Sequence, residues 1–205
     1  MIVTFEGGDQ AGKKTQSALL AKRLKSLKIK TKLFSFPDYS TPIGKEIDKY
    51  LHGKRKFPPQ TIHTLLAANR WEKVDEIKKA QEKNSVVIMN RYAESNLVYG
   101  LANGLKLPWL EGLDAGLPKS DLVIVLDVPQ NESFKRKRQN RDKFEKMQSF
   151  PRQYHVPIAN WQRKSDGKSL MPHKAKMMST KILCESFLEK LEYEKTTLRN
   201  YRSHP

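Results

Sequence analysis

The sequence predicts an α/β protein whose parallel sheet is covered by helices on both faces. Three observations predict it. Short apolar runs alternate with helical stretches along the first two thirds of the chain, an order that builds parallel sheets. Two of the runs, Val86-Val87-Ile88-Met89 and Leu122-Val123-Ile124-Val125-Leu126, are apolar at every position, as a strand buried on both faces must be. A glycine-rich loop follows the first run at once and leads into the first helical stretch. In such folds ligands bind in loops beyond the carboxyl ends of the strands.

Taken in order, Ile2-Val3-Thr4-Phe5 is β-branched and aromatic and reads as a short strand, stopped by Gly7-Gly8. A helix is expected from about Lys14 to Leu27. Thr31 to Phe36 reads as a second strand, ended by Pro37. One long helical segment is expected from roughly Pro59 to Lys83, ahead of the strand at Val86. Beyond the Leu122 strand, helical patterns return around Glu132 to Lys137 and from Lys174 to about Leu191. No repeat and no low-complexity segment interrupts this order.

The 205 residues fit one globular domain, and 38% apolar residues suffice for a core. No apolar run reaches the ~18–20 residues that cross a bilayer. Met1 to Gly7 lacks the basic, apolar and cleavage regions of a signal peptide, so a cytoplasmic protein is expected. The lone Cys184 excludes an intramolecular disulfide framework, and His52, His63, His155, His173 and His204 show no metal-ligand spacing. The net charge of +17 is spread along the whole chain. It favours anionic partners, and its sign alone does not choose between nucleotides and nucleic acid.

Gly7-Gly8-Asp9-Gln10-Ala11-Gly12-Lys13 carries the sharpest chemistry. It fits the G-x4-G-K core of a phosphate-binding loop, whose glycines let backbone N–H groups wrap around phosphate oxygens. Lys13 would reach the β- and γ-phosphates, with the positive end of the next helix behind them. The residue after that lysine normally brings a Mg²⁺-binding hydroxyl; here it is Lys14, and Thr15 follows about 100° further round the helix. Metal binding must then lean on other groups, with Thr15, Asp9 and Asp127 as candidates. Lys14 is expected to sit against the phosphates and take over part of the neutralisation.

From the loop onward the sequence resembles the thymidylate (dTMP) kinase family. The resemblance rests on Phe5-Glu6-Gly7-Gly8-Asp9 through Gln16, Phe36-Pro37-Asp38-Tyr39-Ser40-Thr41 with Ile43-Gly44, and Ala68-Asn69-Arg70-Trp71-Glu72. It continues in Asn90-Arg91-Tyr92 with Ser95, Asn96 and Tyr99, and in Leu117-Pro118-Lys119-Ser120-Asp121-Leu122 running into Leu126-Asp127-Val128. It runs from residue 2 to about 155. It implies a P-loop NTPase-type fold, with a five-stranded parallel sheet between helices, one domain over residues 1–205, and a small LID flap at about 136–146.

The resemblance also implies transfer of the γ-phosphate of ATP, with Mg²⁺, to dTMP, giving dTDP. Residues Gly7 to Thr15 would hold ATP. Arg136 would stack on adenine, and Arg138, Arg141 and Lys143 of the basic flap would supply transition-state cations. Phe36, Pro37, Tyr39, Leu66, Arg70, Arg91, Ser95, Asn96 and Tyr99, with Asp9, would form the dTMP site. In it Arg91 clamps the phosphate, Arg70 donates to a thymine carbonyl, Asn96 reads the ring N–H, and Tyr99 crowds a ribose 2′ position. A homodimer is implied too; a membrane or nucleic-acid partner is not expected.

Departures are visible. Asn90 stands where the family has an acid, Tyr39 where many members have a second arginine, and Leu66 where a phenylalanine stacks on thymine. Plainer readings stay open: a helix-start salt bridge for Arg91, a core aromatic for Tyr99, and a solvated or RNA-binding charge run for the flap. So do a kinase for another pyrimidine nucleotide (dUMP or UMP) and a catalytically weak nucleotide- or RNA-binding P-loop protein.

Overall fold

In the computed structural model, residues 1–8 and 10–126 are described. Four parallel strands, β1 (Ile2–Gly7), β2 (Thr31–Ser35), β3 (Val86–Asn90) and β4 (Leu122–Leu126), form one sheet in the order β2-β3-β1-β4. The expected fifth strand is not among the described residues, nor are the helical stretches near Glu132 and Lys174.

Alternation along the strands explains the core. Val3, Phe5, Val86 and Ile88 point to one face, where α1 (Lys13–Ser26) lays Leu20 and Leu24 on them. Ile2, Val87 and Met89 point to the other face and meet Ile77 and Ala80 of α4 (Val74–Lys83). Both faces are thus dry along β1 and β3, whereas β2 is largely exposed and β4 half-buried. Asp121 ties β4 to β1 at its start: its Oδ2 accepts from the Ile2 N–H at 2.6 Å, and its own N–H donates to the Ile2 carbonyl at 2.9 Å.

The long helical segment expected from Pro59 to Lys83 is two helices. α3 (Pro59–Trp71) ends where Arg70 and Trp71 turn to the end of α6 (Leu107–Leu113). Arg70 binds Asp114, and the Trp71 indole donates to the Leu113 carbonyl at 2.9 Å. The two helices also serve different cores. Ile62 of α3 packs with Ile47 and Leu51 of α2 (Pro42–Leu51), whereas Ile77 of α4 lies on the sheet. A break at Glu72 and Lys73 lets each reach its own.

The β2–α2 connection leaves the sheet through a cis Phe36–Pro37 peptide. Thr41 then caps α2, its hydroxyl accepting from the Gly44 N–H at 2.9 Å, with Pro42 at the first helical position. Gly44 is required here, because a Cβ would run into the Asp38 carbonyl. Between β3 and α6, α5 (Ala93–Ala102) starts three residues after β3. Among the described residues, no helix is long and apolar enough to cross a membrane.

Candidate active site

The glycine loop leaves the carboxyl end of β1 and runs into α1. Gly7 (φ 134°) and Gly12 (φ 92°) adopt backbone angles that side chains disfavour, and Gln10 joins them at φ 60°. At Gly7 a Cβ would also strike the Leu126 carbonyl of β4. Among the described residues no side chain caps α1, and its first turn carries no acid, which leaves its positive end suited to an anion. Lys13 is buried and folds back over the loop. Its Nζ donates to the carbonyls of Gly7 at 3.0 Å and Gly8 at 2.6 Å. Lys14 and Thr15 are exposed on the first turn of α1.

Arg91 emerges from the neighbouring strand. Phe5 of β1 is paired with Asn90 of β3, and the Arg91 N–H donates to the Phe5 carbonyl at 3.0 Å. The loop and Arg91 therefore leave adjacent strands at the same end of the sheet, where α/β proteins bind ligands. Arg91 has φ 63°, a left-handed conformation that costs a non-glycine residue of order 1–3 kcal/mol and marks a place where the surroundings fix the backbone. Its guanidinium donates to Ser95 Oγ at 3.2 Å and lies over the Tyr99 ring, 5.6 Å from the centroid.

Sequence reasoning gave no role to the group that holds this corner. Glu6, a fully buried residue of β1, accepts from the backbone N–H of Tyr92 at 3.0 Å and of Ser95 at 3.2 Å through Oε1. Its Oε2 takes the Ser95 hydroxyl at 2.6 Å. One carboxylate thus caps α5 from the next strand and fixes the serine that Arg91 touches. A charged residue inside an apolar strand was the available sign.

Phe36, Pro37, Tyr39, Leu66, Arg70, Arg91, Ser95, Asn96 and Tyr99 all line one cleft of about 70 Å³. Leu51 and Tyr92 complete the lining and were not foreseen. Phe36 packs on Tyr92, ring centroids 5.7 Å apart. Arg91 meets a serine hydroxyl and an aromatic face. Tyr99 is buried, as a core aromatic would be, and lines the cleft as well.

Arg70 is held by a bidentate pair with Asp114, Nε to Oδ1 at 2.9 Å and Nη2 to Oδ2 at 2.7 Å. Both side chains are nearly dry, and the geometry leaves Nη1 outside the pair. Asn96 is held by His63 of α3, a fully buried residue. Asn96 Oδ1 lies 2.6 Å from His63 Nδ1, its Nδ2 donates to the His63 carbonyl at 3.2 Å, and Asn103 Nδ2 lies 3.0 Å from His63 Nε2. An amide oxygen only accepts, so the network assigns the proton to Nδ1 and makes Nε2 the acceptor. Burial keeps this imidazole below the usual histidine range, in its neutral form.

Several expected site residues lie outside the described residues: Asp9, Asp127, and Arg136, Arg138, Arg141 and Lys143 of the flap. Among the described residues no group of three acidic, histidine or cysteine side chains is disposed to hold a metal. One oxygen is nevertheless left over beside the loop's strand. Oδ1 of Asn90 is buried without a hydrogen-bond partner among the described residues.

Comparison with known proteins bears on the whole constellation. A family model described as thymidylate kinase matches residues 5–159. The thymidylate kinase of Schizosaccharomyces pombe is 40% identical over 147 residues, covering 72% of this chain and 70% of that protein. The thymidylate kinase of Homo sapiens is 35% identical over 145 residues, covering 70% and 68%. The solved structure of thymidylate kinase from Candida albicans superposes with a TM-score of 0.73 at 28% identity, over 95% of this chain and 92% of that one.

Proposed function

The chain belongs to the thymidylate kinase family, and from that premise we propose that it transfers the γ-phosphoryl group of ATP to dTMP, giving ADP and dTDP. The observation that carries this reading is the single cleft lined by every expected acceptor residue except Asp9, opening at the same sheet end as the phosphate loop. In it Arg91 fixes the dTMP phosphate, a planar fork matching phosphate oxygens. Arg70 donates from Nη1 to a thymine carbonyl. Asn96 accepts from the ring N–H through its second oxygen lone pair, and Tyr99 crowds the 2′ position.

On the donor side the loop amides and the start of α1 receive the triphosphate, and Lys13 leaves its two carbonyls for the β- and γ-phosphates. Lys14, exposed on the same turn, adds charge beside them. Phosphoryl transfer asks chiefly for positioning and charge neutralisation. The acceptor phosphate oxygen is already anionic near neutral pH, so no strong base is needed. Mg²⁺ takes oxygen ligands, and the unpartnered Asn90 Oδ1 and the Thr15 hydroxyl fit that chemistry, with Asp9 and Asp127 as the carboxylates. When bound, the ion neutralises phosphate charge. Arg136 would stack on adenine, and Arg138, Arg141 and Lys143 would close over the transferring group. A single domain with that flap at about 136–146, a homodimeric state and a cytoplasmic location complete the proposal.

The test is a coupled ADP-release assay across dTMP, dUMP, UMP and dCMP. Preference for dTMP is expected, and equal rates on all four would overturn the thymidylate assignment. Lys13→Ala is expected to weaken ATP binding. Unchanged ATP binding, together with tight RNA binding at ~150 mM salt, would favour the RNA-binding alternative.

A further inference from the structure

β1 does more than lead into the phosphate loop, because its last residues also hold Arg91. Two bonds from this strand flank that residue. The Arg91 N–H donates to the Phe5 carbonyl at 3.0 Å, and the next N–H along the chain, that of Tyr92, donates to Glu6 Oε1 at 3.0 Å. The left-handed φ of 63° at Arg91 lies between these two anchors, and such a conformation persists where its surroundings over-determine it. Glu6 Oε1 accepts from the Ser95 N–H as well, at 3.2 Å, so two amides at the start of α5 orient one side of the carboxylate.

The other oxygen acts through a side chain. Glu6 Oε2 lies 2.6 Å from Ser95 Oγ, and Arg91 Nη1 lies 3.2 Å from the same Oγ. A carboxylate oxygen accepts and a guanidinium only donates, which settles the direction of both bonds. The Ser95 hydroxyl gives its single proton to Glu6 and turns a lone pair to Arg91. A short hydroxyl bond to a carboxylate is about twice as strong as one between neutral groups, and here it is shut away from solvent, Glu6 being 0% exposed.

We propose that Glu6 is the positioning residue of the acceptor phosphate clamp: acting through Ser95, it fixes where the Arg91 guanidinium meets the phosphate. Gly7, the first residue of the phosphate loop, is its neighbour in the chain, so one short stretch of β1 sets the acceptor clamp and the donor loop relative to each other. The proposal rests on the phosphoryl-transfer reading, in which Arg91 takes the dTMP phosphate.

Calorimetric titration with dTMP and with thymidine, which shares its base and sugar and lacks the phosphate, separates the clamp from the rest of the cleft. Glu6→Gln keeps one oxygen for the two amides, which orient it, and places an NH₂ where Oε2 was, so the Ser95 hydroxyl loses its acceptor. E6Q, its folding verified by circular dichroism, is expected to bind dTMP about tenfold more weakly and thymidine within about twofold of the unaltered protein. Ser95→Ala removes the other end of the same relay and is expected to cost about as much, and the double variant about tenfold in all instead of the ~hundredfold of independent effects. Equal losses for dTMP and thymidine, no loss in E6Q, or additive losses in the double variant would overturn the proposal while leaving the reading of the cleft intact. An unaltered protein that binds no dTMP would overturn that reading and the proposal with it. A crystal structure of the unaltered protein with dTMP is free of any variant. Arg91 on the phosphate with Ser95 Oγ still between it and Glu6 supports the relay; Arg91 swung away from Ser95 overturns it.

Discussion

The loop between β1 and α1 holds itself with its own backbone, whereas the acceptor cleft is held by side chains reaching in from far along the chain. In the loop, left-handed glycines and a lysine folded onto two nearby carbonyls make a compact unit within seven residues. In the cleft, Glu6 supports a serine 89 positions away, and Asp114 supports an arginine 44 positions away. The lesson is one of preorganisation. Under the proposed function, acceptor recognition would be fixed before any ligand arrives, while the donor loop would rearrange to take its phosphate.

The largest expected effect breaks the acceptor side at its corner. Arg91→Ala should lower kcat/KM for dTMP on the order of 10³-fold, while ATP affinity measured by calorimetry stays within about threefold. A comparable loss of ATP binding would show the two halves to be one unit. Next, Asp114→Ala leaves the buried Arg70 charge unpaired. It should cost about 3–5 kcal/mol of unfolding free energy in urea titrations, where a surface pair would cost under ~1 kcal/mol.

Glu94, buried at the start of α5, responds to pH. Its folded-state carboxyl sits near 7, above the ordinary 4.5, so the folded state holds its proton longer than the unfolded chain does. That raised value lowers stability as pH climbs from about 4.5 to 7, with nothing lost below that window. Glu94→Gln should therefore be relatively more stable at about pH 8 than at about pH 4 by roughly 3–4 kcal/mol. Equal effects at both would place the carboxyl near its ordinary range.

Smaller effects sharpen the comparison. His63→Phe removes the donor that orients Asn96 and should lower the dTMP-over-dCMP preference about tenfold, mostly through KM. An unaltered ratio would mean that the Asn96 amide is oriented without it. On the loop side, Asn90→Asp restores one negative charge near the phosphates and should reduce the Mg²⁺ concentration for half-maximal rate by about two- to threefold. No response would mean that the metal is held elsewhere.

What could be read from the sequence follows the same division. β3 and β4 were legible because each is an unbroken apolar run, the mark of a strand inside a sheet, and the loop was legible because its residues are contiguous. The nine described acceptor residues came from family blocks and meet in one cleft. The break between α3 and α4 was not legible. Both flanks are helical by pattern, and the cause of the break, Arg70 and Trp71 bound to Asp114 and Leu113, lies some forty residues on. Asp114 and His63 gave no local sign of their supporting roles, since a buried partner in three dimensions leaves no spacing in one. α2 was missed for another reason: its start is set by a Thr41 cap and a glycine that lets Asp38 come close, neither of which is hydrophobic periodicity.

The inward fold of Lys13 has a consequence for turnover. An amine already satisfied by the carbonyls of Gly7 and Gly8 gains from phosphate only the difference between two sets of partners. Under the proposed function, nucleotide uptake at this point would be an exchange, not a capture, and the same carbonyls would take the amine back when the product departs. Such an exchange would limit how tightly the loop could hold any nucleotide, product as well as substrate.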